Sequence, residues 1–228
     1  MVKYKGEFVV SDIANNKKYL ADLLFGWDVG DDLSYFTLFG LTNPTVSSDG
    51  WIDCNVTSAG LSSNSGLNKT ILNTIGEYKT VFQCKLKLMA DNTSTSYPII
   101  IQFCPAAGDP IGFAVAYLPP NTRFYFTNNG FLGNIFPVAF TFTLGQEYLI
   151  SMVMTQSDCY FLIDNVLITT FPRGRLGNAT PSSTPLNDYR TGNKIFQIDC
   201  YTNAVNGVIA HCRFRDIKIG VFRGESSL

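Results

Sequence analysis

The sequence predicts an all-β fold, an antiparallel β-sandwich with one short N-terminal helix. Three observations carry this reading. From Trp51 onward, apolar and polar residues alternate with a two-residue period, as strands with one buried face do. Gly, Asn, Asp and Pro interrupt that alternation at short intervals, which supplies the turns. The 228 residues are 46% hydrophobic and 15% charged, so there are apolar side chains enough for a large core.

The first segment reads differently. Ser11 is a good N-cap, Ile13, Leu20, Leu23 and Leu24 recur at helical spacing, and Gly26 can end the helix. Residues 1–50 are therefore expected to form an appendage packed on or docking a sandwich of residues 51–228, within a single domain. Strands are expected at Trp51 to Thr57, Tyr78 to Met89, Tyr97 to Phe103, Gly112 to Tyr117, Arg123 to Thr127 and Val138 to Thr143. Further strands are expected at Tyr148 to Met154, Cys159 to Ile163, Val166 to Thr170, Lys194 to Tyr201 and Val208 to Val221. Asn129-Gly130 and Asn206-Gly207 suit turns that need positive φ, and Asp164-Asn165 suits a two-residue hairpin. In the last strand Val208, Ala210, Cys212 and Phe214 have one parity and Ile217, Ile219 and Val221 the other, so a bulge is expected near Arg215-Asp216. The polar stretches Ser58 to Gly76 and Arg173 to Gly192 read as long loops for binding or partner contact.

Six cysteines show no CxxC and no Cys/His cluster, so no zinc or other metal site is expected. Cys84 and Cys104 flank the polar segment 90–96 symmetrically, and Cys200 and Cys212 flank 203–207. If both segments are hairpins, each pair is opposed across a ladder. They are then candidate disulfides, with Cys54 and Cys159 left as a third pair; the plainer alternative is six small apolar strand residues.

Seventeen Lys and Arg against 18 Asp and Glu give a net charge of -1, which argues against nucleic acid as a partner. No apolar run reaches the roughly 20 residues of a membrane helix, and no basic start leads into a long apolar stretch as in a signal peptide. The Asn-, Thr- and Ser-rich composition resembles that of extracellular or virion-surface domains. The expected location is accordingly outside the cell or on a virion without a signal peptide, with the cytoplasm left open. Sequons at Asn55, Asn68, Asn92 and Asn178 are candidate glycosylation sites.

The stretch Phe140 to Met154 (FTFTLGQEYLISMVM), followed by Cys159 to Phe171 (CYFLIDNVLITTF), resembles the strand, strand, Asp-turn, strand passage of concanavalin A-like and galectin-like jelly rolls. The terminal RFRDIKIG from Arg213 resembles their closing strand. The resemblance implies a jelly roll. The sugar-binding residues of galectins do not carry over, since Trp27 and Trp51 precede the matching region and His211 is the sole histidine. Neither the calcium cluster of legume lectins nor the Glu-x-Asp-x-Glu strand of the superfamily's glucanases is present.

A glycosidase needs two facing carboxylates. Glu7, Glu77, Glu147 and Glu225 read as turn or end residues, while Asp53 and Asp199 lie on strands from which they could face a cleft. His211, Arg213 and Arg215 share a strand face and read either as a solvated surface or as a cationic stripe for an acidic partner or glycan. Tyr117, Tyr125, Tyr160 and Tyr201 are the candidate half-exposed aromatics for stacking on sugar. The expected function is a non-enzymatic, lectin-like recognition module binding glycan through a sheet face and loops, with no cofactor. The alternative is a structural subunit of a virion or cell-surface assembly that docks other protein subunits, a homo-oligomer among them; a glycoside hydrolase is the minor alternative.

Overall fold

A computed structural model describes residues 6–40, 42–56, 63–73, 80–89, 99–105, 113–118, 123–128, 135–138, 140–155, 158–172, 194–204 and 210–228. The strands are β1 (Glu7–Asp12), β2 (Lys17–Trp27), β3 (Thr37–Gly40), β4 (Thr45–Val46), β5 (Ile52–Val56), β6 (Ser63–Asn73), β7 (Thr80–Leu88) and β8 (Ile99–Pro105). They continue with β9 (Phe113–Leu118), β10 (Arg123–Asn128), β11 (Ile135–Val138), β12 (Glu147–Met154), β13 (Asp158–Ile163), β14 (Val166–Pro172), β15 (Lys194–Ala204) and β16 (Ala210–Ser227). They form two antiparallel sheets. A nine-stranded sheet runs β1-β2-β16-β7-β12-β13-β14, with β5 paired to β16 and β4 to β5, and a seven-stranded sheet runs β11-β10-β9-β8-β15-β6-β3.

The sandwich of the sequence reading stands, but its N-terminal helix does not. Ser11 to Gly26 is a β-hairpin in which Asp12 caps the turn, accepting from the Asn15 backbone N–H at 3.3 Å and from Asn15 Nδ2 at 2.8 Å. Asn16 takes a positive φ of 54°, and Ile13, which would anchor a helical stripe, is exposed in the turn. The side-chain chemistry that caps a helix here closes a hairpin. Tyr19 and Ala21, and beyond a register shift at Leu24 Phe25 and Trp27, then bury at two-residue spacing along β2, which pairs with β16 over most of its length. Among the described residues the only helical piece is a 3-10 turn at Leu33–Tyr35.

Other expectations hold. Asp164 and Asn165 adopt φ of 50° and 64° between β13 and β14, the positive-φ pair of a two-residue hairpin. The Asp164 carboxylate also accepts from the Leu149 N–H at 2.7 Å, tying the hairpin to β12. The ladder of β16 with β7 breaks between Arg215 and Lys218, with Asp216 at φ 53°. That bulge brings Phe214 and Ile217 to the same buried face. The turns at Asn129-Gly130 and Asn206-Gly207, and the stretch Arg173 to Gly192, lie outside the described residues. The other expected loop, Ser58 to Gly76, contains β6, which sits between β15 and β3. The strand expected over Val138 to Thr143 becomes irregular by Phe140; there Phe140, Phe142 and Tyr148 pack edge to face, and the Thr143 N–H donates to the Tyr148 hydroxyl at 2.9 Å.

The main core gathers Trp27, Ile52, Phe82, Leu86, Ile150, Phe161, Phe214 and Ile219 from the nine-stranded sheet against Leu67 of β6. A second cluster, Phe8, Val10, Tyr19, Ala21, Val81, Val153 and Leu162, has the opposite strand parity on β7, β12 and β13. It lies on the other face of the nine-stranded sheet, which curls around it until the first and last strands meet, with the Ile13 N–H donating to the Asn165 carbonyl at 2.9 Å. Burial in this cluster pushes the Tyr19 hydroxyl pKa up.

Gly220 is where the curl admits no side chain. A Cβ there would stand 2.3 Å from the Asp22 carbonyl oxygen and 2.7 Å from the Phe8 ring. Gly220→Ala is expected to destabilise the fold by about 3 kcal/mol, because backbone rather than a movable side chain must yield; denaturant melts of the two proteins check this.

The expected disulfides fail for a topological reason. β7 and β8 do not form a hairpin, since β7 lies in the nine-stranded sheet and β8 in the seven-stranded one, and β15 and β16 are divided in the same way. Cys84 therefore lies opposite Ile150, and Cys104 opposite Gln197. Cys54, Cys84, Cys159 and Cys212 are buried thiols, and burial pushes the Cys84 thiol pKa up.

Candidate functional site

Two sheet faces carry polar residues, and they differ in kind. The first is the outer face of the nine-stranded sheet, where β16 presents His211, Arg213 and Arg215 in alternation with the buried Cys212 and Phe214. Asp53 of β5 lies opposite Arg213; it meets His211 Nε2 at 2.6 Å and Arg213 Nε at 3.0 Å. Arg215 and Lys87 lie over the buried Trp51 ring at 4.5 and 4.3 Å. Lys85 pairs with Glu147 at 3.3 Å and Asp216 at 3.0 Å, and Arg215 with Glu147 at 3.3 Å.

Hydrogen bonding to Asp216 pushes the Lys85 pKa up. At the rim, the Ser47 hydroxyl holds the Asp49 carboxyl below the usual carboxylate range. Asp49, Asp53, Glu147 and Asp216 thus match Lys85, Lys87, Arg213 and Arg215 in number. The cationic stripe read from the sequence is a charge-balanced network, and Trp51 is too buried to stack on a ligand.

The second is a face of the seven-stranded sheet. Leu67 of β6 is fully buried in the main core, and Lys69, two residues on, donates to the Tyr35 carbonyl at 2.8 Å and lies over the core residue Phe25. The parity of Leu67 and Lys69 therefore marks the inner face. Register extends it across the sheet, with Leu67 opposite Cys200 and Lys69 opposite Ile198, then Cys200 opposite Ile101 and Ile198 opposite Phe103. The other parity is the outer face. Asn68, Asp199 and Gln102 form one row across β6, β15 and β8, and Thr70, Gln197 and Cys104 form the next. Tyr201 lies two positions from Asp199 on β15, opposite Gly66. Gln102 is opposite Ala114 on β9, and the parity of Ala114 and Ala116 places Tyr125 of β10 on this face as well.

The sequence-derived candidates are thereby divided. Tyr125 and Tyr201 share the outer face of the seven-stranded sheet, whereas Tyr117 has the inner parity, with Val115 opposite Ile101. Tyr160 belongs to the nine-stranded sheet and stacks on Tyr19 at 5.3 Å. Asp53 and Asp199, the two strand carboxylates that could face a cleft, stand on different sheets. Of the sequon residues, Asn55 lies opposite His211 in a strand ladder and Asn68 is in the polar row; Asn92 and Asn178 lie outside the described residues. Gln102 and Gln197 were not singled out from the sequence. The signal was available in Gln197-Ile-Asp-Cys-Tyr201, where polar residues alternate with apolar ones. Among the described residues, no group of three or more His, Cys, Asp or Glu is placed to hold a metal ion.

No family model and no curated protein matches the chain. Solved structures do match it over nearly the whole length. An endo-acting O-glycanase from work on mucin breakdown by human gut microbiota aligns with a TM-score of 0.61 at 14% identity, covering 88% of this chain and 100% of that one. Laminarinase from Flavobacterium sp. UMI-01 gives 0.59 at 10% identity, covering 87% and 99%. The family 7 alginate lyase A1-II′ gives 0.53 at 13% identity, covering 84% and 85% in its complex with product. The chain shares the jelly-roll sandwich fold of these structures, as the hairpin resemblance implied; at these identities the likeness is one of fold alone. It also overturns the expectation of a non-enzymatic, lectin-like module, because the O-glycanase, the laminarinase and the alginate lyase, which align over 84–88% of this chain, are glycan-cleaving enzymes.

Proposed function

We propose that the chain is a glycan-cleaving enzyme whose substrate lies across the outer face of the seven-stranded sheet. The observation that carries this is the polar patch of Asn68, Gln102, Gln197, Asp199 and Tyr201 on three adjacent strands, in a fold shared with an O-glycanase, a laminarinase and an alginate lyase.

The residue types favour elimination over hydrolysis. Hydrolysis by an acid and a nucleophile or base uses two carboxyl groups roughly 5–9.5 Å apart, and among the described positions of this face register supplies one, Asp199. Elimination from a uronate-containing chain needs different groups. A base removes the proton from the carbon bearing the carboxylate, a carbon–carbon double bond forms as the bond to the glycosidic oxygen breaks, and that oxygen takes up a proton. Tyr201 is the proton-transfer group, and Gln102 and Asn68 are the donors that stabilise the negative charge building on the uronate.

The test is incubation with alginate, laminarin and mucin glycans, following both new reducing ends and the ultraviolet absorbance of an unsaturated sugar. Chain cleavage with the absorbance, on alginate, supports the reading. Reducing ends without absorbance would replace elimination by hydrolysis, and no cleavage of any polymer would overturn the enzyme.

A further inference from the structure

Cys54 of β5 and Cys212 of β16 are direct register partners in an antiparallel ladder, and both are buried thiols. Each sits on the core face of its strand, two positions from Ile52 on β5 and two positions from Phe214 on β16. Opposed residues in such a ladder hold their Cα atoms about 4.5–5.5 Å apart, inside the roughly 4.4–6.8 Å that a disulfide spans. Sequence spacing does not reveal this pair, because β5 and β16 are remote in the chain and meet only through the sheet order.

We propose that Cys54 and Cys212 are a latent cross-strand disulfide that clasps the C-terminal strand to β5 when the protein meets an oxidising thiol–disulfide pool. The reaction is thiol–disulfide exchange with a small-molecule disulfide. One thiolate attacks the reagent and expels a thiol, and the second cysteine then attacks the mixed disulfide and expels the other. Two protein thiols lose two protons and two electrons, and one reagent disulfide becomes two thiols. Access comes by opening of the β5–β16 ladder, a short one over Ala210 to Phe214 at the start of β16. On the opposite strand parity the same ladder carries Asp53, His211 and Arg213, so the clasp also fixes the strand that organises the charged network. The bond closes a ring from residue 54 to residue 212, and long rings restrict the unfolded chain most.

The test uses the whole chain, incubated natively with oxidised glutathione, acid-quenched, alkylated under denaturing conditions and mapped by mass spectrometry. The expected result is a Cys54–Cys212 peptide pair that dithiothreitol reverses, with a melting temperature raised by roughly 5–15 °C. Cys212→Ala should lose the linked pair and the shift together, and Cys84→Ala should keep both. The proposal is overturned if Cys54 and Cys212 are both recovered alkylated, if either is found linked to another cysteine instead, or if the linked form melts no higher than the reduced one.

Discussion

Tyr201→Phe is expected to lower glycan cleavage by roughly 100-fold or more while leaving the melting temperature within about 2 °C of the parent. The magnitude is that of a single proton-transfer group, about 10²–10⁴-fold. The small effect on stability follows from the position: Tyr201 has the parity of Asp199 and Asn68, opposite to that of the buried Leu67, and the substitution removes one oxygen without changing the ring. Initial rates at saturating and limiting polymer distinguish the roles. A lost proton-transfer group lowers kcat with KM little changed, whereas a lost binding contact raises KM. Arg213→Gln is the matched control, because Arg213 lies in the charge-balanced network of the nine-stranded sheet. Its rate should stay within about twofold of the parent. A Tyr201→Phe protein of parental rate, or an Arg213→Gln protein with the larger defect, would place the chemistry elsewhere.

Phe214→Ala should be the most damaging single truncation of the framework, at about 3–5 kcal/mol. Phe214 is fully buried and lies between Ile52 of β5 and Leu86 of β7, both fully buried themselves. A cavity there is walled by three adjacent strands, so little can move in to fill it. With a melting temperature falling roughly 2–4 °C for each kcal/mol in a chain of this size, a drop of about 6–20 °C is expected in a thermal scan. A drop below about 3 °C would mean that the three strands do not pack around this ring as described.

Much of the fold was legible because one face of most strands is apolar. The bulge after Arg215 could be read from a change of parity alone, and Asp164-Asn165 from residues that tolerate positive φ. Three features were not legible, each for a physical reason. Asp12 and Asn15 supply side-chain chemistry that serves helix caps and hairpin turns alike, so local sequence could not choose; the choice came from pairing with β16, two hundred residues away. β6 has few apolar residues because one of its faces carries part of the polar row, and a strand of that composition reads as a loop. The cysteine pairing failed because consecutive strands were assumed to be neighbours, whereas here the chain passes between sheets after β7 and after β15. The candidate site suffered from the same gap. Tyr201, Tyr125 and Asp199 were named as separate possibilities, but only register shows that they share a face, and that Asp53 and His211 belong to another sheet.

The most direct measurement is hydrogen–deuterium exchange of the Tyr201→Phe protein with and without a saturating alginate oligosaccharide. A substrate lying across the seven-stranded sheet should slow exchange in β6, β8 and β15, centred on residues 66–70, 101–105 and 197–203, and leave residues 211–215 of β16 unchanged. Protection confined to residues 211–215 and 49–55, with none in β6, β8 and β15, would put the ligand on the nine-stranded sheet and contradict the proposed site.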